Sequence, residues 1–355
     1  MSCIVELLAE LGCEITILPM AGLRREPYTT RFQRMGVEVY YAPWAMGDLT
    51  RERAGFYDLV LLSRPEVGTS YYPAVRSAFP SARVVYDTVD LHYVREARRL
   101  ALLGKRANAA SRALRHTELQ LMRASDIVTT VSEDEALEVQ RVVAGARTAV
   151  LPNVHDIPFE PPPPYEGRSG MLFIGGFLHN PNVDAMTWFV HEVMPAMEGM
   201  GSRLVVLGSD PPPAVLALGS RDVLVTGYIP DVEPFFREAA VFICPLRYGA
   251  GLKGKVGQAM SLGLPVVTTT VGAEGMGMVD GVHGLVRDDP LAFAAAVAEV
   301  AADPDLWQRL SRGGLELVRS TLSRDCMRAR LRELLADSIG YRTSCQAPAP
   351  SGPPS

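Results

Sequence analysis

The apolar residues of the first half of the chain fall into short runs that are rich in β-branched side chains. Between several of these runs, apolar residues recur at the spacing of a helix. This alternation predicts successive strand–helix units around a buried parallel sheet, with ligands expected at the carboxyl ends of the strands. The predicted strands of this half are residues 14–18, 37–42, 59–62, 83–86, 127–131 and 149–151.

A proline-rich segment, EPPPPY at residues 160–165, interrupts this pattern. Proline fits neither a helix interior nor a central strand, so the segment is predicted to be a stiff connector. The alternation then resumes, which indicates a second α/β domain. Its predicted strands are residues 171–174, 203–207, 223–226, 241–244, 265–268 and 285–286.

We therefore predict an N-terminal domain at residues 1–155, a linker at 156–168 and a C-terminal domain at 169–337. Residues 338–355 end in APAPSGPPS, which cannot bury a core and predicts a disordered tail. Residues 4–11 have the pattern of an amphipathic helix closed by Gly12. Because a strand normally precedes such a helix in a doubly wound domain, we expect the N-terminal domain to lack its first strand.

Composition narrows the class of protein. With 355 residues, 48% hydrophobic and 21% charged, and no apolar run that could span a bilayer, the chain is expected to be soluble and cytoplasmic. The net charge of −5 gives no reason to expect nucleic acid as a partner. Five scattered cysteines predict neither structural disulfides nor a zinc site. The arginine-rich stretch 95–106 is interpreted as a solvated helix face, with an acidic or membrane-surface partner as the alternative.

The first segment with candidate chemistry is MLFIGGFLHNPNVD, residues 171–184. A buried strand ends at Gly175 and Gly176, and a helix follows, with Asn180 as its N-cap and Pro181 in its first position. Glycines let a ligand approach the backbone, and a helix N-terminus attracts anions. A tight turn that simply needs glycine is the competing interpretation.

The second segment, CPLRYGAGLKGKVGQAM at residues 244–260, carries a stronger signal. Gly249 and Gly251 predict a flexible turn after a strand, and Lys253 and Lys255 fall in the first turn of the next helix. Cations there oppose the helix dipole unless an anion is bound. With Arg247, the loop places three cations around one cleft, as a diphosphate would need; a solvated basic turn is the alternative.

Two further segments lie where predicted strands end, beside the same cleft. SLGLPVVTTTVGAEG, residues 261–275, carries Glu274, whose carboxylate could accept hydrogen bonds from hydroxyls or simply cap a helix or lie on the surface. YDTVDLH, residues 86–92, carries Asp90 and His92 in the first domain. A core or surface histidine is nearly as good an interpretation of His92 as a functional one.

The ordered set of residues 245–256, 263–269 and 272–275, with GYIPD at 227–231 and LPN at 151–153, resembles the donor-site signature of glycosyltransferase family 4. The resemblance covers the C-terminal half and is weaker in the N-terminal half, through residues 86–92 and 126–132. It implies the GT-B fold, in which two Rossmann-like doubly wound domains face a cleft. It also implies a nucleotide-sugar donor on the C-terminal domain, an acceptor on the N-terminal domain, retention of anomeric configuration and no metal.

Carried over by position, the resemblance makes Arg247 and Lys253 the cations that neutralise the leaving diphosphate, with His92 and Asp90 at the reacting sugar or acceptor hydroxyl. Where many members carry two glutamates, this chain has Ala250 and Gln258; Gln258 can still hydrogen-bond a ribose hydroxyl. Tyr228 and Ile229 would flank the nucleobase. The full set of predicted donor-binding residues is Gly175, Gly176, Asn182, Tyr228, Ile229, Gly249, Gly251, Leu252, Lys255, Gln258 and Glu274.

The sequence thus predicts a glycosyltransferase that moves a sugar from a nucleoside diphosphate sugar to a hydroxyl acceptor in polysaccharide or glycolipid assembly. The acceptor could be lipid-linked, with peripheral contact to the inner membrane face. Two alternatives stay open: a nucleotide-sugar epimerase on the same fold, and a degenerate or truncated transferase that acts as a binding module.

Overall fold

The computed structural model describes residues 2–158, 164–198 and 203–340. Its strands overlap every strand predicted from the hydrophobic pattern, because short β-branched runs between turn residues favour buried strands. They are β1 (Thr16–Ile17), β2 (Glu38–Val39), β3 (Leu59–Ser63), β4 (Arg83–Asp87), β5 (Ile127–Thr130), β6 (Thr148–Val150), β7 (Met171–Ile174), β8 (Leu204–Leu207), β9 (Val223–Gly227), β10 (Val241–Cys244), β11 (Val266–Thr268) and β12 (Leu285–Val286).

Helices separate most of these strands. They are α1 (Ser2–Glu10), α2 (Tyr28–Arg34), α3 (Met46–Glu52), α4 (Pro65–Ala78), α5 (His92–Leu102), α6 (Ala109–Ala124), α7 (Glu133–Val142), α8 (Asn180–Trp188), α9 (Pro213–Leu216), α10 (Glu233–Glu238), α11 (Gly254–Ser261), α12 (Thr270–Ala273), α13 (Pro290–Ala302), α14 (Pro304–Thr321) and α15 (Arg324–Ile339). A π turn, Phe189–Val193, and a 3-10 turn, Met194–Met197, extend α8.

The sheet of the C-terminal half is parallel, with the strand order β12-β11-β10-β7-β8-β9. The chain starts this sheet at β7, adds β8 and β9 on one side, and then returns to add β10 on the other. The connections after β7 and β10 therefore diverge from neighbouring strands and leave a crevice at their carboxyl ends. The glycine-containing segments predicted to bind a ligand follow these two strands.

The N-terminal half contains a parallel sheet of order β3-β4-β5-β6 and a separate parallel pair, β1-β2. The carboxyl ends of β4 and β5 lead into α5 and α7. These two helices carry Arg98 and Glu135, whose side chains bond to the C-terminal half.

The helix α15 corrects two predicted boundaries. We assigned residues up to 337 to the C-terminal domain, whereas α15 packs against α1 and joins a core with β4 and β5 of the N-terminal half. Met327 and Leu331 are buried there with Leu7, and Arg324 pairs with Glu6 at 3.1 Å. The predicted tail from 338 also begins too early, since α15 continues to Ile339 and ends at Gly340 in a left-handed conformation.

The polypeptide therefore passes between the two halves twice, once before β7 and once between α14 and α15. The two passages contact each other, because the amide of His155 donates to the carbonyl of Leu322 at 2.9 Å. The centre of the predicted proline-rich linker, residues 159–163, and residues 341–355 of the predicted tail, with Cys345, lie outside the described residues. Within the described ranges, no helix combines the length and apolar character needed to cross a bilayer.

Candidate functional site

The connection after β7 contains two glycines, of which Gly175 could not be replaced without a shift in its neighbours, whereas a Cβ at Gly176 would meet only Ser209 Oγ at 3.5 Å. A Cβ at Gly175 would lie 2.6 Å from the Nζ of Lys255 and 2.7 Å from the Nδ2 of Asn182. α8 begins at Asn180 with His179 as its N-cap, one residue earlier than predicted. The predicted donor residues Gly175, Gly176, Asn182 and Lys255 thus come together at one edge of the sheet.

Lys255 is held in place by this group. Its Nζ donates to Asn182 Oδ1 at 2.6 Å and lies 4.1 Å from the centre of the Phe173 ring, while Asn182 Nδ2 donates to the carbonyl of Gly176 at 2.7 Å. Burial lowers the pKa of Lys255 to about 8. A cation positioned beside glycine backbone and a helix N-terminus is suited to an anionic ligand.

Lys253 is only 7% exposed and occupies the N-cap position of α11. Its Nζ donates to the carbonyl of Gly251 and lies 3.7 Å from Glu274 Oε2. Burial lowers the pKa of Lys253, although the charge of Glu274 opposes the shift. The chain has three lysines, Lys105, Lys253 and Lys255, so two of the three lie at this loop.

Arg247 has a different environment from the two lysines. Its guanidinium pairs with Asp184 of α8, with Nε 2.9 Å from Oδ2, and lies 5.9 Å from the centre of the Trp188 ring. The structure therefore gives this predicted phosphate-binding cation a carboxylate partner.

Gly251 is the point where the loop meets the N-terminal half. Its φ is +71°, and a Cβ there would lie 2.8 Å from the Cβ of Asp90. Gly249 has neither constraint, since its nearest contacts would lie at 3.6 to 3.9 Å, from Lys253 and Val271. Of the two glycines predicted to form a flexible turn, only Gly251 requires glycine geometry.

Arg98 of α5 connects the two halves. Its guanidinium donates to both carboxylate oxygens of Glu274, at 2.6 and 2.7 Å, and to the carbonyl of Gly249 at 2.8 Å. Burial would raise the pKa of Glu274, but Arg98 outweighs it and keeps the pKa below its ordinary value. The interpretation of 95–106 as a solvated helix face is therefore wrong for Arg98, which charge periodicity alone could not distinguish from its neighbours.

Glu135 of α7 is a second residue that the sequence did not single out. Its Oε1 accepts from the amide of Leu91 at 3.1 Å and from the amide of Gly251 at 2.9 Å. The side chain is 8% exposed, and burial raises the pKa of Glu135 to about 7. The Ser132-x-x-Glu135 pattern would suggest an ordinary helix cap, and Ser132 Oγ does accept from the amide of Glu135 at 3.2 Å.

His92 and Asp90 lie on the same side of the cleft as Glu135. The Nδ1 of His92 is 3.2 Å from Asp90 Oδ1 and 3.5 Å from Glu118 Oε1, and Asp90 also pairs with Arg95. Burial alone would lower the pKa of His92, but the two carboxylates outweigh burial and raise it. Of the two predicted catalytic residues of the first half, His92 is buried and Asp90 is partly buried, and both belong to a charged network beside Gly251.

The remaining predicted donor residues occupy the C-terminal half. Tyr228 is 72% exposed after β9, Ile229 packs against the core, Leu252 is buried in the glycine loop, and Gln258 is partly buried on α11. Their contacts to a ligand stay predictions. Among the described residues, no group of three or more His, Cys, Asp or Glu side chains is arranged to hold a metal ion.

A cavity of about 330 Å³ lies between the halves. α5, the start of α7 and the glycine loop enclose it. Its lining residues are Leu91, Val94, Arg98, Ser132, Asp134, Glu135, Glu138, Ala250, Gly251 and Glu274.

Solved structures of known proteins share this architecture. The fold resembles that of sucrose-phosphate synthase from Thermosynechococcus elongatus, with a TM-score of 0.71, 17% identity, and coverage of 95% of this chain and 92% of that one. It also resembles Anabaena HepE in complex with UDP and glucose, with a TM-score of 0.69, 13% identity, and coverage of 94% and 95%. The chain therefore has the GT-B fold, as predicted.

Residues 168–303, which contain the two lysines and the glycine loop, match the family model Glycosyl transferases group 1. This segment is similar to the group 1 glycosyl transferase domain. A curated relative, "Putative glycosyltransferase YtcC" of Bacillus subtilis (strain 168), is 32% identical over 111 residues. Those residues cover 30% of this chain and 27% of the relative, so the match spans about a quarter of that protein. Membership of glycosyltransferase family 4 in particular stays a prediction.

Proposed function

We propose that this protein is an enzyme that transfers a glycosyl group from a nucleoside diphosphate sugar to a hydroxyl acceptor. The observation that carries the proposal is the placement of Lys253 and Lys255 at the crevice between β7 and β10, inside the group 1 glycosyl transferase domain. The dipole of α11 disfavours cations at its start, so an anionic ligand would remove a cost that the free protein bears.

Negative charge develops on the leaving diphosphate as the glycosidic bond breaks. Lys255 of α11, whose Nζ lies beside Gly175, and Lys253 in the glycine loop would stabilise that charge, together with amides at the start of α8 and α11. UDP is the first nucleotide to test, because the solved structure of HepE, which has the same fold, is a complex with UDP and glucose. We propose that these protein cations act without a metal.

On the N-terminal side, His92 is proposed to contact the reacting sugar or the acceptor hydroxyl, with Asp90 holding its ring by the 3.2 Å contact at Nδ1. If this role is correct, His92→Ala lowers turnover and leaves the affinity for nucleoside diphosphate unchanged. By family resemblance, we extend the same proposal to four further properties. They are retention of configuration, a polysaccharide or glycolipid product, a lipid-linked acceptor and action at the cytoplasmic membrane face.

Thermal unfolding against UDP, GDP, ADP, TDP and CDP, without metal, tests the donor site directly. At about 100 times the dissociation constant, a bound nucleotide adds about 2.7 kcal/mol of stability, which corresponds to a shift of several degrees. We expect one nucleotide to give this shift, and Lys253→Ala with Lys255→Ala to abolish it. Lys105→Ala is the matched control, because Lys105 is exposed and distant from the glycine loop in sequence.

Product analysis with the matching nucleotide sugar then tests the reaction class. Transfer releases nucleoside diphosphate and requires an acceptor, whereas an epimerase would alter the nucleotide sugar without acceptor and without free nucleotide. If a well-folded sample binds none of the five nucleotides, the transferase proposal is wrong and a non-catalytic binding module becomes the better account.

A further inference from the structure

The first turn of α5 is capped by a carboxylate from another helix. Leu91, its N-cap residue, makes no side-chain cap, and the turn itself contains no acidic residue. Glu118 of α6 takes that role: its Oε1 accepts from the amide of His92 at 3.2 Å, and its Oε2 accepts from the amide of Tyr93 at 2.6 Å. These amides are among those that the start of a helix leaves without a partner. Glu118 therefore fixes the backbone at His92.

Glu118 also contacts the imidazole ring of His92. Its Oε1 lies 3.5 Å from the Nδ1 atom, which has two further oxygens nearby, the Asp90 carbonyl at 3.1 Å and Asp90 Oδ1 at 3.2 Å. A carbonyl oxygen and ionised carboxylates only accept hydrogen bonds, so Nδ1 has to carry a proton. In the neutral ring, the lone pair is then on Nε2.

The Nε2 atom of His92 keeps contact with solvent. Within the described residues, the polar contacts of the ring all lie at Nδ1, and Nε2 is not one of the fully buried polar atoms that lack a partner. The residue as a whole is only 7% exposed, so the accessible part of the side chain includes this nitrogen. A neutral imidazole of this tautomer accepts a hydrogen bond or a proton at Nε2, whereas imidazolium donates one.

A buried charge is a costly way to cap a helix. Glu118 is fully buried, whereas a serine or asparagine at the N-cap of α5 would satisfy an amide of the first turn without a charge. The dipole of α5 favours an anion at its start and offsets part of this cost. The contact with Nδ1 of His92 gives the carboxylate a second function that a neutral local cap could not perform.

Charged groups from several elements surround this ring. Asp90 precedes α5, Arg95 of α5 pairs with Asp90, Glu118 belongs to α6, and Glu135 of α7 bonds to the start of α5. In the C-terminal half, His179 is close enough for the charges of Arg95 and Asp90 to act on it. Burial lowers the pKa of the ring, but the hydrogen bond to Glu118 and the charge of Asp90 outweigh burial and Arg95 and raise it.

We propose that Glu118 is a positioning residue for His92, which holds the ring at Nδ1 and leaves Nε2 to contact the reacting sugar or the acceptor hydroxyl. The inference rests on the proposed function, because it specifies which nitrogen of His92 takes part in that reaction. Asp90 contacts only the ring, whereas Glu118 ties both the backbone and the ring of His92 to α6 through one carboxylate.

Nuclear magnetic resonance of protein that contains isotope-labelled histidine tests the tautomer without any glycosyl transfer. The chain has six histidines, and the signal of His92 is the one that disappears in His92→Ala. We expect the neutral form of His92 in the wild type to carry its proton on Nδ1. A neutral ring with its proton on Nε2 would overturn the inference, whether or not variants of Glu118 fold.

Titration of the same signal in variants tests the carboxylate. We expect Glu118→Gln to move the midpoint of the His92 titration to lower pH, because a charge that favours imidazolium is lost. Glu118→Asp keeps the charge on a shorter side chain and should move the midpoint less. Glu133→Gln is the matched control, because Glu133 is exposed at the start of α7, and it should leave the midpoint unchanged. An unchanged midpoint in both Glu118 variants would contradict the proposal and reduce Glu118 to a helix cap.

Rates of nucleoside diphosphate release show whether Glu118 acts through His92. We expect Glu118→Gln to lower turnover about tenfold and to leave the Kd for nucleoside diphosphate within about twofold. In the His92→Ala background, the same substitution should change turnover by less than about twofold, because the group that Glu118 positions is gone. An equal loss in both backgrounds would show a general structural effect and overturn the inference. If the resonance results hold but no nucleotide sugar is turned over, the proposed function is wrong and the control of the ring by Glu118 stands.

Discussion

The two sides of the cleft differ in their buried charged residues, although they meet at the same loop and Arg98 of one side pairs with Glu274 of the other. On the C-terminal side, Lys253 and Lys255 accompany glycine backbone and helix N-termini; on the N-terminal side, Glu135 and Asp134 accompany the start of α7. Lys253 on one side and Glu135 on the other are buried, and buried charge is a cost that folding alone would not favour. The difference suits the proposed nucleotide-sugar donor, whose diphosphate is anionic and whose sugar carries hydroxyl groups.

The largest expected effect lies on the cationic side. Lys253→Ala should lower the rate of glycosyl transfer by about 10²- to 10³-fold, because a buried cation that stabilises the leaving group is lost. Initial rates of nucleoside diphosphate release measure this, with Lys105→Ala expected to match the wild type. We expect a smaller loss for Arg247→Ala, since Asp184 already neutralises that guanidinium. If Lys253→Ala lowers the rate by less than about threefold, the cationic side does not stabilise the leaving group as proposed.

Two glycine substitutions in one loop test the contact between the two sides. Gly251→Ala should reduce the free energy of unfolding by about 2–4 kcal/mol, from its left-handed φ and the close approach of Asp90. Gly249→Ala should stay within about 0.5 kcal/mol, because an added Cβ meets only ordinary contacts. Denaturant unfolding distinguishes the two, and equal losses would show that the loop does not define the junction of the halves.

The acidic side should make the stability of the protein depend on pH through Glu135. Because burial raises the pKa of Glu135 from 4.5 to about 7, the folded state disfavours its ionised form. The cost is absent below about pH 4.5, grows as the pH rises, and is complete above about pH 7. Glu135→Gln should therefore be more stable than the wild type by about 1–3 kcal/mol at pH 8, and nearly equal to it at pH 4.5.

Thermal unfolding of both proteins across this range measures the effect. Glu133→Gln should show no such pH-dependent gain, since Glu133 is exposed. A constant difference between Glu135→Gln and the wild type from pH 4.5 to pH 8 would mean that Glu135 titrates as an ordinary surface carboxyl.

The smallest expected effect concerns the ion pair that joins the sides. Arg98→Ala removes hydrogen bonds to Glu274 and to the carbonyl of Gly249. Because the guanidinium is partly exposed, we expect the free energy of unfolding to fall by only about 1 kcal/mol, measured by denaturant unfolding. Arg99→Ala, one residue along α5, removes only a pair with Glu96 and should cost less than about 0.5 kcal/mol. If both substitutions lower the free energy of unfolding equally, Arg98 contributes no more than an arginine on the solvated surface.

Local patterns predicted the strands, the glycine turns and the positions of Lys253 and Lys255, because each depends on residues near it in the chain. Glu274 and Asp90 were predicted as site residues, but the residues Arg98 and Glu135 that bond to the opposite half were not. Arg98 sits among other arginines, and Glu135 fits an ordinary capping pattern, so neither has a local signal for its distant partner. The structure also gave Arg247 a partner in Asp184 that no spacing in the sequence indicated.

The helix α15 was missed in a similar way. Its position after α14 suggested that it belonged with the C-terminal sheet, since neighbouring elements usually pack together. Its apolar residues instead complete a core with α1, and nothing in a helical pattern states which sheet it will cover.

This return of α15 to α1 bears on how the protein is made. The helix α1 buries Leu7 against Met327 and Leu331, which are synthesised more than 300 residues later. The group 1 domain can finish folding first, while the earlier half waits with part of its apolar surface uncovered. During synthesis, the half that contains α1 would be completed only after α15 is made, and would be the half more exposed to chaperones and aggregation.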